Sequence, residues 1–245
     1  MPENRFVGDV ARRYDHAHAA AFAPDVVEPA VDLLAELAAG GPVLEFAVGT
    51  GRLALPLAAR DLDVAGIELS ADMIAELRRK PGAAELVVVE GDMATAAVPG
   101  RFTLVVLTFN TIGNLATRVE QAACFANAAR HLVPGGRFVI EVGVPTSALV
   151  DDGVRVFAID DDYIGLDELI DSDAQLFRSR HLRRATDGRW DEFSHPFRFV
   201  GPTELDEMAT AVGLRLEHRW ADWQRTPFTE QSRRHVSVWT KGPPT

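Results

Sequence analysis

The sequence predicts an α/β fold with a mostly parallel sheet covered by helices on both faces, and three observations carry that expectation. Between residues 43 and 143, short strands alternate with helical stretches, and most of the strands are apolar throughout rather than on one face. The first strand runs directly into a glycine turn that opens a helix. After Val144 the rhythm breaks into strands of alternating or aromatic-rich character, which reads as an antiparallel β cap rather than another βα unit.

The elements follow in order. Helical periodicity covers Val7 to Phe22 and Asp25 to Ala39, the second stretch starting after Pro24 and stopping at Gly40-Gly41. Val43 to Phe46 is the first strand, and Leu53 to Ala59 the helix behind the glycine turn. Val64 to Glu68 is a second strand ending in an acid. Ser70 then suits an N-cap for Ala71 to Lys80, and Pro81-Gly82 ends that helix. Leu86 to Val89 and Phe102 to Thr108 are the next strands. Val119 to Leu132 is a helix stopped at Pro134-Gly135-Gly136, before a strand from Arg137 to Val142. In the cap, strands are expected at Val154 to Ile159, Tyr163 to Leu169, Gln175 to Arg184 and Trp190 to Val200. Asp187-Gly188 marks a hairpin between the last two. Pro202 to Val212 reads as a helix, with Leu214 to Trp220 and His235 to Trp239 as the final strands. The expected organisation is a core of residues 1–149 and 201–245 carrying a cap of residues 150–200.

Composition narrows the classes of function. The formal net charge of -11 opposes nucleic-acid binding, because phosphates would be repelled unless a basic face were segregated. The start of the chain lacks the basic and apolar regions of a signal peptide, and no apolar run approaches the length of a membrane span. A cytoplasmic protein without a membrane partner is the expectation. The single cysteine, Cys124, falls in a helical run where a small buried hydrophobe suits it. No Cys/His spacing suggests a metal site.

The most informative stretch is Pro42 to Arg52. Gly49 and Gly51 allow a positive φ and a close ligand approach, and the helix behind them presents free N–H groups to whatever binds. Gly49-Thr50-Gly51-Arg52-Leu53-Ala54 fits the dinucleotide fingerprint G-x-G-x-x-G/A, so the glycines alone do not separate the cofactor classes. Glu45 does. A pyrophosphate facing that carboxylate would be repelled, whereas a ligand with a cationic amino acid head group would be attracted.

An acid followed by a small residue and Gly-x-Gly resembles motif I of the class I S-adenosylmethionine-dependent methyltransferases. The resemblance extends through Leu132-Val133-Pro134-Gly135-Gly136-Arg137-Phe138 and covers about Val43 to Thr240. Ala47 departs from it, standing where the family usually has its first glycine. The resemblance implies a seven-stranded, mostly parallel sheet whose last strand, His235 to Trp239, lies antiparallel beside the fifth. It implies S-adenosylmethionine as cofactor, with S-adenosylhomocysteine as product, and cofactor contacts from Glu45, Ala47, Gly49, Gly51, Glu68, Leu69, Met73, Asp92, Met93 and Phe109. Within the family, Tyr14-Asp15 and the cap resemble small-molecule and amino-sugar N-methyltransferases, in which an N-terminal tyrosine closes over the cofactor.

The residues point the same way. Glu68, ending the second strand, suits a ribose diol, and Leu69 and Met73 suit the face of adenine. Asp92 suits an exocyclic amine, while Phe109, Asn110 and Thr111 follow the fourth strand near the expected sulfonium. For the acceptor, His195 is the first candidate base, ahead of His181, His16 and His18, with Tyr14 as a hydrogen-bonding partner. Asn110, Glu141 and Arg198 are candidate acceptor contacts. Arg178, Arg180 and Arg184 share one face of a strand and suit either an anionic acceptor or a solvated surface. The expected activity is N- or O-methylation of a small molecule. A dinucleotide-dependent oxidoreductase and a non-catalytic cofactor-binding module are the competing readings. Whether a homodimer forms through the cap is left open.

Overall fold

The computed structural model describes residues 4–145, 153–185 and 187–243. Two helices lead in, α1 (Asp9–Ala17) and α2 (Pro24–Ala38), separated by a 3₁₀ turn at Ala19–Phe22. The core follows as β1 (Val43–Phe46), α3 (Ala54–Ala58), β2 (Val64–Glu68), α4 (Ala71–Arg78), β3 (Val87–Glu90), β4 (Phe102–Leu107), α5 (Arg118–His131) and β5 (Leu132–Gly143). The cap is β6 (Val154–Ile159), β7 (Tyr163–Asp171), β8 (Leu176–Arg184) and β9 (Trp190–Arg198). The chain ends with α6 (Pro202–Ala211), β10 (Leu214–Trp220) and β11 (Arg234–Lys241).

The seven core strands lie in the order β10-β11-β5-β4-β1-β2-β3, and the cap strands form their own sheet in the order β6-β7-β8-β9. Strands β1 to β5 pair parallel, while β11 runs antiparallel between β5 and β10, as expected. The chain winds outward in both directions from β1, which pairs β2 on one side and β4 on the other. That reversal opens a crevice at the carboxyl ends of the strands, where such sheets bind ligands.

Each face of the sheet buries an apolar layer. Phe46, Ile67, Phe125, Phe138 and Trp239 belong to one, and Leu34, Val43, Leu53, Leu104 and Val238 to the other. Phe125 packs edge-on against Phe138 and Trp239 at centroid distances of 5.1 and 5.4 Å. Capping at Ser70 is as expected, and a second cap appears at the start of α5. The Ser70 hydroxyl accepts from the Met73 N–H, and Thr117 with Glu120 forms a reciprocal capping box.

Two differences from expectation have local causes. The single N-terminal helix breaks at His18, where Nδ1 and the backbone N–H both meet the Tyr14 carbonyl and the next turn tightens to 3₁₀. Strand β5 begins at Leu132 rather than Arg137. Leu132 already pairs with Phe102, and Val133 to Gly136 loop out opposite Thr103 before pairing resumes at Leu104 and Arg137. The boundary expected between residues 149 and 150 lies outside the described residues.

The cap docks on the core through β9. Gly113, in the 3₁₀ turn Thr111–Asn114 after β4, leaves the space that the Phe197 ring occupies; a Cβ there would lie 2.2 Å from the ring. Gly113→Ala is therefore expected to destabilise the protein by about 1–3 kcal/mol through overpacking, read from urea denaturation midpoints.

Candidate functional site

The glycine turn after β1 is built from left-handed residues. Ala47, Gly49 and Gly51 have φ of 50, 56 and 85°. Alanine at position 47 accepts a conformation costing roughly 1–2 kcal/mol that glycine would avoid, which is why a glycine suits that place. The two glycines serve different ends. Gly49 lines the cavity and donates its N–H to Glu68 Oε2 at 2.8 Å. Gly51 lies outside the cavity wall, and its missing side chain accommodates core residues: a Cβ would stand 2.4 Å from Leu77 Cδ1. The expected ligand contact at Gly51 is thus replaced by a packing role. Gly51→Ala combines left-handed strain with overpacking and is expected to cost roughly 2–4 kcal/mol, measured by chemical denaturation.

A cavity of about 310 Å³ opens beyond Gly49, at the carboxyl edge of β1, β2 and β3. Ala47, Ile67, Leu69, Met73 and Met93 give it apolar walls, while Glu68 and Asp92 supply carboxylates. Glu68 is 7% exposed and is fixed at both oxygens, Oε1 accepting from the Ser70 N–H at 2.9 Å. Burial raises its pKa, opposed by the Ser70, Gly49 and Leu69 N–H groups. Asp92 Oδ1 accepts from the Ala94 N–H at 2.8 Å, and the Asn127 amide holds the Met93 carbonyl at 2.8 Å.

Glu45 sits behind this wall rather than in it. It is 5% exposed, and its Oε2 has no hydrogen-bond partner among the described residues. Burial pushes its pKa up to about 8, against the opposing Arg52 charge and the Ala54 N–H, with Glu68 adding to the rise.

The opposite wall comes from the N-terminal segment, the turn after β4 and the cap. Asn4, Arg5, Phe6, Tyr14, Thr111, Asn114, His195 and Pro196 all line it. Tyr14 packs on His18 with centroids 4.4 Å apart and planes tilted by 35°, and meets Phe6 edge-on. Burial pushes the Tyr14 phenol up to about 12, against the Arg52 charge, so it remains a neutral donor. His195 faces inward beside Phe6 and Phe193. Burial takes its pKa down to about 4, helped by His181 and Arg5.

Four further sequence-expected contacts, beyond Gly51 and Glu45, lie outside the cavity, and distant partners explain each. Glu141 accepts from Trp223 Nε1 at 3.0 Å and the Phe109 N–H at 3.1 Å, so it clamps the turn after β4 instead of facing an acceptor. Asn110 Oδ1 accepts from the Gly143 N–H at 2.5 Å, tying the same turn to β5. Phe109 lies partly exposed beneath the Arg52 guanidinium, 5.0 Å from its ring centroid. Arg198 is 5% exposed and satisfied on every side, by Gln121, Gln175, Glu204 and the Ala174 carbonyl. Arg178 and Arg180 project from the cap face opposite His195, where they meet Glu168 and Glu192. The pattern of the cap strand favours that solvated face over an anion site. Arg5, Phe6 and Asn114 were not foreseen: they come from irregular segments with no periodic signal.

Comparison with known proteins agrees with this geometry. A profile described as "Methyltransferase domain" matches residues 43–136. The CcbJ methyltransferase of Streptomyces caelestis superposes with a TM-score of 0.85 at 34% identity, covering 96% of each chain. A dTDP-3-amino-3,6-dideoxy-alpha-D-glucopyranose N,N-dimethyltransferase of Streptomyces fradiae is 35% identical over 144 residues. That match spans 57% of this chain and only 55% of the relative. The amino pentose methyltransferase CalS10 of Micromonospora echinaspora, solved with S-adenosylmethionine, shares the fold with a TM-score of 0.71 at 22% identity, covering 98% of this chain and all of the other. The chain belongs to the class I, S-adenosylmethionine-dependent methyltransferase family.

Proposed function

We propose that the protein is a cytoplasmic enzyme that transfers a methyl group from S-adenosylmethionine to nitrogen or oxygen of a small-molecule acceptor. The observation that carries this reading is the cavity at the carboxyl edge of β1 to β3, with carboxylates at successive strand ends and an apolar slot between them. The residues fit the cofactor. Glu68, already holding Gly49 and Ser70, has lone pairs left for a ribose diol; Asp92 suits the adenine amine; Leu69, Met73 and Met93 suit the ring faces. The orphaned Oε2 of Glu45 suits the cationic methionine end, whose charge would favour the ionised carboxyl over the protonated form that burial imposes.

When bound, the cofactor supplies a methyl group activated on a sulfonium. The protein's task is then to orient the acceptor behind that methyl and to exclude water, a positioning effect worth up to about 7–11 kcal/mol in ideal cases. Tyr14 offers a hydrogen bond from a phenol that stays protonated, and His195 offers a neutral imidazole. With the low pKa, His195 serves as a hydrogen-bond acceptor for the nucleophile's N–H or O–H more readily than as a strong base. In this reading residues 1–149 and 201–245 hold the cofactor and residues 150–200 bound the acceptor. The net charge of -11 supports a small acceptor over nucleic acid. No helix among the described residues is long and apolar enough to cross a membrane.

An acceptor bearing an amino sugar is the first class to test, since the Streptomyces fradiae relative is named for one. Calorimetry should show S-adenosylmethionine binding at low micromolar Kd, roughly -8 kcal/mol. Glu68→Ala is expected to weaken it by about 2–4 kcal/mol, because the variant removes the ribose acceptor and leaves the Gly49 and Ser70 N–H groups unpaired. Unchanged affinity in that variant would remove Glu68 from the site.

A further inference from the structure

The inner face of the cap holds a row of polar side chains that the cofactor does not need. Cross-strand register places Asp167, Ser179 and His195 side by side on β7, β8 and β9, with Gly165, His181 and Phe193 in the next row of that face. Asp167 and Ser179 are buried and hydrogen-bonded to each other. His181 lies between two hydroxyls, Nε2 3.4 Å from Ser179 Oγ and Nδ1 2.7 Å from the Tyr163 oxygen. Its ring stacks on that of His195, with centroids 5.7 Å apart and planes 4° from parallel.

One assignment of protons satisfies this row. The Asp167 carboxylate, 3.7 Å from the Arg155 guanidinium, only accepts, so Ser179 gives it the single hydroxyl proton. Ser179 Oγ must then accept from His181 Nε2–H. A neutral imidazole with its proton on Nε2 presents a lone pair at Nδ1, to which the Tyr163 hydroxyl donates. Hydrogen bonds therefore run in one direction, from Tyr163 through His181 and Ser179 to Asp167.

His195 has no such support of its own. Its Nδ1 is buried without a hydrogen-bond partner among the described residues, and its ring neighbours there are Phe6, Phe193, Phe197 and His181. We propose that the Tyr163–His181–Ser179–Asp167 chain makes His181 a positioning residue for His195, fixing the plane and tautomer of the ring against which the acceptor-facing imidazole is stacked. The proposal rests on the reading in which His195 faces the methyl acceptor. The charged and titratable groups around the pair are Arg5, His18 and Arg183, with Arg155 and Asp167 reached through Ser179. Most are basic, so a proton on His181 would oppose one on His195; a His181 satisfied at both nitrogens while neutral removes that conflict.

The test is histidine ¹⁵N NMR of the full chain, comparing wild type with Tyr163→Phe, Ser179→Ala and the outer-face control Arg180→Ala. Wild type should show His181 protonated on Nε2. Ser179→Ala should shift His181 toward a mixture of tautomers and move the His195 ring resonances, Tyr163→Phe should also move the His195 resonances, and Arg180→Ala should leave both rings unchanged. A wild-type His181 carrying its proton on Nδ1 would overturn the proposal. So would His195 resonances that move no more in Tyr163→Phe and Ser179→Ala than in the control. Should Ser179→Ala fail to fold, the wild-type tautomer and Tyr163→Phe decide. Binding of S-adenosylhomocysteine to the same samples, measured by calorimetry, separates the two levels. Its absence in wild type would count against the methyltransferase reading, whatever the imidazole spectra show.

Discussion

Arg198→Ala is expected to lower stability by about 3–5 kcal/mol, the range for stranding partners of a buried charge. The guanidinium is 5% exposed and reaches three elements: Gln121 of α5 at 2.6 Å, Gln175 before β8 at 2.6 Å and Glu204 of α6 at 2.8 Å. Its Nε also donates to the Ala174 carbonyl at 3.1 Å. Removing it leaves two amide oxygens without their donor and Glu204 dependent on the exposed Arg118. For a domain of this size the loss corresponds to a fall in Tm on the order of 10 °C. Arg180→Ala, on the solvated face of the cap, should move it by no more than a degree or two, because exposed ion pairs contribute little. Differential scanning calorimetry distinguishes the cases. A direct acceptor role would instead appear as lost acceptor binding at unchanged Tm, and that result would restore Arg198 to the site.

Arg198 also shows where the sequence was legible and where it was not. Strand β1 was readable to the residue because Val43 to Phe46 is a short apolar run closed by a glycine turn, a purely local signal. Glu68 and Asp92 were readable because strand-end position alone puts them at the cavity. Arg198, Glu141 and Asn110 were read as acceptor contacts because a polar residue near the active edge has the same local appearance whether it faces a ligand or a distant partner. Gln121 is 77 residues from Arg198, and Trp223 is 82 from Glu141. Nothing within a sequence window marks those pairings. Gly51 differs again: the motif demanded a glycine there, and only packing shows that Leu77, not a ligand, fills the space.

Stability should peak at about pH 7 and fall on both sides. On the acid side, His181, His195 and His235 are buried neutral, with pKa values taken down to about 4, in each case chiefly by burial. His235 is fully buried, and among the described residues its Nε2 has no hydrogen-bond partner. As pH falls below the ordinary histidine value of about 6.5, the unfolded chain takes up three protons that the folded chain refuses. Glu45 works in the opposite sense: its folded pKa of about 8 means that the native state keeps a proton which the unfolded state releases above about 4.5. Between about pH 6.5 and 4.5 the histidines outweigh it three to one, so stability drops by about 3 kcal/mol per pH unit at the steepest. Above about pH 7 Glu45 outweighs what remains of the histidine uptake, and stability declines by up to roughly 1 kcal/mol per unit as pH rises toward 8. The lowered values of His18 and His131 add to the acid decline, while the raised pKa of Glu68 works in the same sense as that of Glu45. Urea midpoints from pH 4.5 to 8.5 would trace the curve. A flat profile from 6.5 down to 5 would contradict neutral burial of the imidazoles, and a continued rise above about 7 would contradict a protonated Glu45. His235→Asn should remove about one third of the histidine contribution on the acid limb while leaving the alkaline limb in place, because its Nδ1 contact with Ser237 touches neither the cavity nor Glu45.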